Sequence, residues 1–177
     1  MKNHRIFIAI NLPDSIKDKL LEYKSDLPAK WTKKNNLHIT LNFLGNVSDQ
    51  ELAEICESVK KIASQLDPFD VKLINISYGP NKNSPKMVWA IGEKTKDFIS
   101  LKKSLDDVLG SSENRGFNPH ITLARIRKWD WQRIEPEERP EVEQDIDLSF
   151  SVNSIEIMES FLKRTGPEYT IIESYNL

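Results

Sequence analysis

Residues 36–45, NLHITLNFLG, and residues 118–127, NPHITLARIR, carry the same tetrapeptide, His-Ile-Thr-Leu, which uses two of the chain's three histidines. Successive side chains of an extended strand point to opposite faces. His38 and Thr40 therefore share one face, while Ile39 and Leu41 share the other. His120 and Thr122 are divided from Ile121 and Leu123 in the same way. Each strand buries two aliphatic side chains and presents an imidazole beside a hydroxyl.

Working outward, the same order of elements surrounds both motifs. RIFIAI (5–10) reads as a buried strand ended by Asn11 and Pro13, and 14–27 reads as a helix. Residues 37–44 form the first motif strand. A capping box from Ser48 to Glu51 opens a helix over 49–66, with apolar residues at 52, 55, 59, 62 and 66. FDVKLINISYGP and KMVWAIG are strands joined by the polar loop 80–85. Residues 95–110 read as a helix closed by Gly110. The loop SSENRGFNP leads to the second motif strand, residues 128–147 read as an irregular excursion, and two strands, LSFSVNSIEIME and EYTIIESYNL, end the chain.

His120 lies 82 residues after His38 (120 − 38), and at that offset RIFIAI falls on MVWAIG and the helix at 14–27 on that at 96–109. Phe69, Val71, Ile74 and Ile76 match Phe150, Val152, Ile155 and Ile157 at 81 (150 − 69), and Tyr169 lies 82 after Met87 (169 − 87). Apolar strands align easily by chance, but preserved order around an identical tetrapeptide does not arise so easily. The expectation is an α+β fold and a bilobal tandem duplication. Two antiparallel-type sheets flank a central cleft, with helices on the outside. Residues 1–177 form one domain of two repeats, roughly 5–86 and 87–177, with exchange of strands between lobes allowed.

A formal charge of −2 excludes bulk electrostatic coating of nucleic acid, though not a local phosphate pocket. The single cysteine, Cys56, forms no internal disulfide and reads as core filler. MKNHRIFIAINLPD has too short an apolar run for a signal peptide, and no stretch approaches membrane-spanning length. A soluble cytoplasmic protein with no membrane association and no obligate protein partner is expected.

Two imidazoles facing one ligand can serve as a general acid and a general base, each worth on the order of 10²–10⁴ in rate. The hydroxyls of Thr40 and Thr122 can donate to anionic oxygens. Acid, base and anion donors together fit in-line displacement at a phosphate diester. His-x-Thr supplies one strong metal ligand per strand with no acidic or thiol partner placed nearby, so neither a metal nor a cofactor is expected. No Gly-x-Ser-x-Gly elbow signals a serine nucleophile. The symmetry of the two motifs leaves open which histidine is the acid.

The chain resembles the two-histidine (2H) phosphoesterases, defined by paired His-x-Thr motifs. More narrowly it is similar to the bacterial RNA 2′,3′-cyclic phosphodiesterases, also called 2′-5′ RNA ligases. The resemblance runs almost end to end. It covers RIFIAINLPD, a Trp ahead of NLHITLNFLG, a Phe ahead of PHITLAR, and ES followed by GPEY near the C-terminus. It implies a bilobal fold with a central cleft. It also implies metal-independent hydrolysis of RNA or nucleotide 2′,3′-cyclic phosphate to a 2′-phosphomonoester, with 2′-5′ ligation as a secondary reverse activity. By position His38 is the proton donor to the leaving oxygen and His120 the proton acceptor for water. Thr40, Thr122 and Arg125 bind phosphate. Arg125, five residues after His120, falls on the opposite face of an ideal strand, so a bulge, a twist or the strand's end must redirect it. Asn42 and Asn118 stand where family members often carry a basic residue, which bears on RNA-backbone binding. The expected partners are RNA with 2′,3′-cyclic phosphate ends or small cyclic nucleotides. Two other readings stay open: a cyclic phosphodiesterase for another small nucleotide-derived substrate, and a nucleotide- or RNA-binding module without turnover.

The remaining features receive plainer readings. Lys30, Trp31, Lys33 and Lys34 read as a solvated loop with one anchoring Trp, Trp129 and Trp131 as packing of the excursion onto the body, and His4 as a surface residue.

Overall fold

In a computed structural model, residues 3–110, 116–164 and 166–177 are described. The first five residues of the loop SSENRGFNP lie outside them. The strands are β1 (Asn3–Asn11), β2 (Lys30–Trp31), β3 (His38–Ser48), β4 (Phe69–Gly79), β5 (Met87–Gly92), β6 (His120–Arg125), β7 (Gln144–Val152), β8 (Ser154–Lys163) and β9 (Gly166–Asn176). The helices are α1 (Asp14–Leu21), α2 (Asp49–Ala63), α3 (Lys96–Leu109) and α4 (Lys128–Gln132). The α+β class follows, with antiparallel pairing in every ladder.

Alternation in β1 shows how the faces are used. Ile6, Ile8 and Ile10 join a core that also takes Ile16 and Leu20 of α1, Val59 and Ile62 of α2, and Phe98, Leu101 and Leu105 of α3. Phe7 and Ala9 point the other way and pack with Met158 and Tyr169 in a separate cluster. One face of the sheet is therefore covered by helices and the other is free to carry a site. The helix boundaries obey local chemistry. The Ser48–Glu51 capping box opens α2, and the Thr95 hydroxyl accepts from the Phe98 amide to open α3. Gly110, with φ at +76°, closes α3 in a conformation that disfavours other residues.

Several expectations are corrected. The two sheets are joined into one, in the order β7-β4-β5-β6-β3-β1-β8-β9 with β2 added beside β6, and the seam is a pairing of Ile39 with Ile121. The excursion at 128–147 contains α4, a short turn of 3-10 helix at Pro136–Glu138, and the first residues of β7. Lys30 and Trp31 form β2, where a loop was expected. The helix expected over 14–27 ends at Leu21. Residue Asn11 lies opposite His38 and Ile91 opposite His120, so β1 and β5 correspond at a spacing of 80 (91 − 11), two residues out of step with the histidines. Phe69 lies opposite Val152 and Val71 opposite Phe150, so segments alike in apolar spacing are ladder neighbours. Strand β9 is outermost, paired to β8, and does not stand in a place equivalent to β5.

His4 is also not a surface residue. Its ring lies between Glu159 of β8, at 2.9 Å, and Asp49 at the start of α2, at 3.0 Å. Through these two carboxylate contacts the imidazole ties β1, β8 and α2 together. Cys56 packs against the core beside Tyr175, and burial pushes its thiol above the usual range.

Candidate active site

The two motif strands meet at Ile39 and Ile121, whose side chains enter the helix-side core. His38, Thr40, His120 and Thr122 consequently emerge together on the free face. Each ring is fixed by the turn preceding its strand. The Nδ1–H of His38 donates to the Asn36 carbonyl at 2.7 Å, and that of His120 to the Asn118 carbonyl at 2.8 Å. A carbonyl only accepts, so Nδ1 carries the hydrogen in both, and any proton exchange with a substrate falls to Nε2. The Thr40 hydroxyl lies 2.9 Å from Nε2 of His38 and donates to it when the ring is neutral.

The surroundings of the two rings differ. His38 packs against Phe7, with centroids 4.9 Å apart, and edge-on to Tyr169 at 5.2 Å. Burial there lowers its pKa to about 4, and the positive charges of Arg125, His120 and Lys17 add to the effect against the Asn36 hydrogen bond. The ring is neutral at pH 7 when no anion is present. His120 instead stacks on the indole of Trp89, with centroids 4.2 Å apart and planes 34° from parallel. That indole lies directly over Gly79, where an added Cβ would stand 2.3 Å from a ring carbon. Glycine is required by this close approach.

A bulge solves the parity problem of Arg125. Thr122 lies opposite Trp89 but Ala124 opposite Val88, leaving Leu123 as an extra residue in β6. After it the alternation is reset. The guanidinium of Arg125 lies 3.6 Å from the sulfur of Met87, and the Thr122 hydroxyl lies 3.9 Å from the same sulfur, so both serve one side. The corresponding irregularity occurs in β3. Thr40 lies opposite Ala9 and Asn42 opposite Ile8, which leaves Leu41 extra. Phe43 thereby reaches the site face, 58% exposed and 5.8 Å from the ring of Phe7. Asn42 turns toward the helices, where its amide donates to Asp106 at 2.8 Å, and Asp106 also pairs with Lys102. It does not face the site, so the question of whether it weakens RNA binding falls away.

Phe7, Phe43, Trp89, Tyr169, Gly79 and Met87 were not among the expected site residues. Phe7 and Trp89 could have been found from strand alternation, since each interrupts a run of core aliphatics. Phe43 could not, because nothing in the composition of β3 marks Leu41 as the extra residue. Among the described residues, no group of three or more His, Cys, Asp or Glu is placed to hold a metal ion, and no helix is long and apolar enough to cross a membrane.

Residues 10–89 match the family described as LigT like phosphoesterase. An RNA 2′,3′-cyclic phosphodiesterase of Methanocaldococcus jannaschii is 30% identical over 97% of this chain and 99% of its own. One of the same name from Thermotoga maritima is 30% identical over 95% and 92%. The crystal structure of TT0787 of Thermus thermophilus, 29% identical, superposes with a TM-score of 0.83 over 98% of this chain and 97% of that one. The structure of E. coli LigT complexed with 3′-AMP shares the fold, with a TM-score of 0.81 and 24% identity over 99% of each chain. With a relative 30% identical along nearly the whole of both chains, and the paired histidines on one free sheet face, the chain belongs to the LigT-like phosphoesterases.

Proposed function

We propose that the protein hydrolyses the 2′,3′-cyclic phosphate of RNA ends or nucleotides to a 2′-phosphomonoester, without a metal. The observation that carries this reading is the pair of imidazoles on one face, each held through an Nδ1–H bond to a backbone carbonyl, so that proton exchange with a substrate falls to Nε2. Nε2 of His120 takes a proton from water as the water oxygen bonds to phosphorus. The bond from phosphorus to the 3′ oxygen breaks, and Nε2 of His38 gives that oxygen its proton. Thr40, Thr122 and Arg125 stabilise the charge that gathers on the phosphoryl oxygens, the kind of preorganised contact worth on the order of 10²–10³ in rate. His38 has to be charged for this. The substrate's own negative charge opposes the positive field of Arg125, His120 and Lys17 that keeps the free ring neutral.

Ligation is the same displacement run with an RNA hydroxyl, and is secondary. The matching bulges at Leu41 and Leu123 and the strand order support a tandem duplication whose halves exchange strands. β4 of the first half pairs with β5, and β8 of the second pairs with β1. A single cysteine fits the cytoplasm as the place of action.

The test is turnover of 2′,3′-cyclic AMP in the presence of EDTA. The expected product is 2′-AMP, and His120→Ala or His38→Ala is expected to lower the rate by roughly 10²–10⁴. Undiminished turnover by His120→Ala removes the base assigned here, and absence of turnover by the wild type favours a binding module.

A further inference from the structure

Two tryptophans of α4 are treated oppositely by the fold. Trp131 is buried, 5.2 Å from the ring of Tyr78, with the Arg139 guanidinium 4.6 Å above it. That side chain anchors α4 to the body. Trp129 contributes nothing comparable: it is 48% exposed, with the guanidinium of Arg133 4.7 Å and that of Arg127 6.0 Å from its ring. The second of these is at the outer limit of a cation–π contact, so the indole is only loosely covered on that account. A large aromatic left in water among cations is a recurring platform for unpaired bases, whose phosphates the cations neutralise.

The position of this group is not arbitrary. β6 ends at Arg125, which lies on the Thr122 side of the site, and the chain passes through Ile126 directly into Arg127 and α4. Arg125 is opposite Lys30 of β2 and Met87 of β5, and the Ile126 amide donates to the carbonyl of Lys86. Along the chain, Arg125 and Arg127 thus lie between the proposed phosphate position and the exposed indole, and Arg133 stands beyond it, over the ring. They do so in a chain whose formal charge is −2. Asp130 stands inside this basic run, between Arg127 and Arg133, and Glu135 follows it.

We propose that Trp129, Arg127 and Arg133 bind the single-stranded RNA that leads into the cyclic phosphate, with a base on the indole and phosphates on the guanidinium groups. The inference rests on the cyclic-phosphate reading of the site and adds to it a subsite for the nucleotides ahead of the cyclic phosphate, through which RNA strands are preferred to cyclic mononucleotides with little regard to sequence.

The experiment compares kcat/KM for 2′,3′-cyclic AMP and for an oligoribonucleotide of about ten nucleotides ending in a 2′,3′-cyclic phosphate. Wild type is expected to favour the oligonucleotide. Trp129→Ala is expected to lower kcat/KM on the oligonucleotide roughly tenfold, mainly through KM, and to leave cyclic AMP within about twofold. Arg127→Gln with Arg133→Gln is expected to do the same, and to reduce the salt dependence of oligonucleotide turnover by roughly 0.7 in log–log slope per arginine. Turnover of cyclic AMP reports folding in every variant. Equal losses on both substrates, or no loss on the oligonucleotide, overturn the proposal. If wild type turns over neither substrate, the function proposed above fails, and binding of the fluorescently labelled oligonucleotide then decides. Weaker binding by Trp129→Ala upholds the RNA surface, and unchanged binding overturns it.

Discussion

His38 sits where two requirements oppose each other. Contact with Phe7 and Tyr169 holds the ring in place, and the associated burial lowers its pKa to about 4, yet the proton donation proposed for it needs the charged form. An anion bound beside Arg125 offsets the field that discourages the proton. NMR titration of the His38 ring is therefore expected to give a midpoint near 4 in the free protein and a higher one with 2′-AMP bound. A free-protein midpoint near the ordinary value of 6.5 contradicts the electrostatic account. The same shift links folding to pH. Between 6.5 and about 4 the unfolded chain takes up a proton at this ring and the folded chain does not. This group's effect is thus absent above 6.5, lowers stability progressively as the pH falls through the window, and adds no further loss below about 4. Denaturant unfolding at a series of pH values is expected to show a shallower decline in His38→Gln than in wild type across that window.

Strand irregularities, more than strands, decide which side chains reach the site face. A regular β6 would direct Arg125 into the helix-side core along with Ile121, and a regular β3 would do the same to Phe43; one extra leucine in each strand turns them back. Asn42 takes the inward place in β3, so its contribution is to hold β3 against α3 through Asp106. Asn42→Ala is expected to cost about 1–2 kcal/mol in denaturant unfolding while leaving kcat/KM for 2′,3′-cyclic AMP unchanged. A large loss of activity in a folded Asn42→Ala variant contradicts its placement. Gly79 in β4 acts in the opposite sense. A methyl group there meets the Trp89 ring at 2.3 Å, and Trp89 can move only by disturbing the His120 ring stacked on it. Gly79→Ala is expected to reduce kcat by roughly tenfold or more, given how steeply rate depends on the placement of a catalytic group. Unaltered kcat shows that the stack does not position His120. These elements also mark how far the sequence could be read. Alternation placed His38, Thr40, His120 and Thr122 on one face because the chain is regular up to each threonine. It stopped being a guide at Leu41 and Leu123, since bulges left no residue signature there. Period likewise failed over 128–147, where α4 is a short helix and the first residues of β7, Gln144 and Asp145, are exposed.

At the scale of the molecule, pairing of strands across the two halves of the sequence makes them interdependent. β1 and β3 belong to the first half, and β1 is covered on its outer edge by β8 from the second. β4 also belongs to the first half, but its two neighbours, β5 and β7, come from the second. Cut between the halves, residues 1–86 would leave β1 with one open edge and β4 with two, all lined by unpaired amides and carbonyls. The seam at Ile39 and Ile121 would be lost as well, and with it the encounter of the two His-x-Thr pairs. Heat or denaturant is accordingly expected to unfold the intact chain in one transition, with fluorescence and circular dichroism coinciding, because one sheet and one core run through both halves. The loop at 80–85 offers the place to test this. Its residues are exposed except Pro85, and it joins β4 to β5 across the boundary between the halves. Produced separately, residues 1–82 and 83–177 are each expected to lack cooperative structure. Mixed from denaturant, they are expected to assemble and to recover turnover of 2′,3′-cyclic AMP. A half that folds cooperatively alone would show that its core is closed within its own segment, which is the arrangement that pairing β4 with β5 and β8 with β1 forbids.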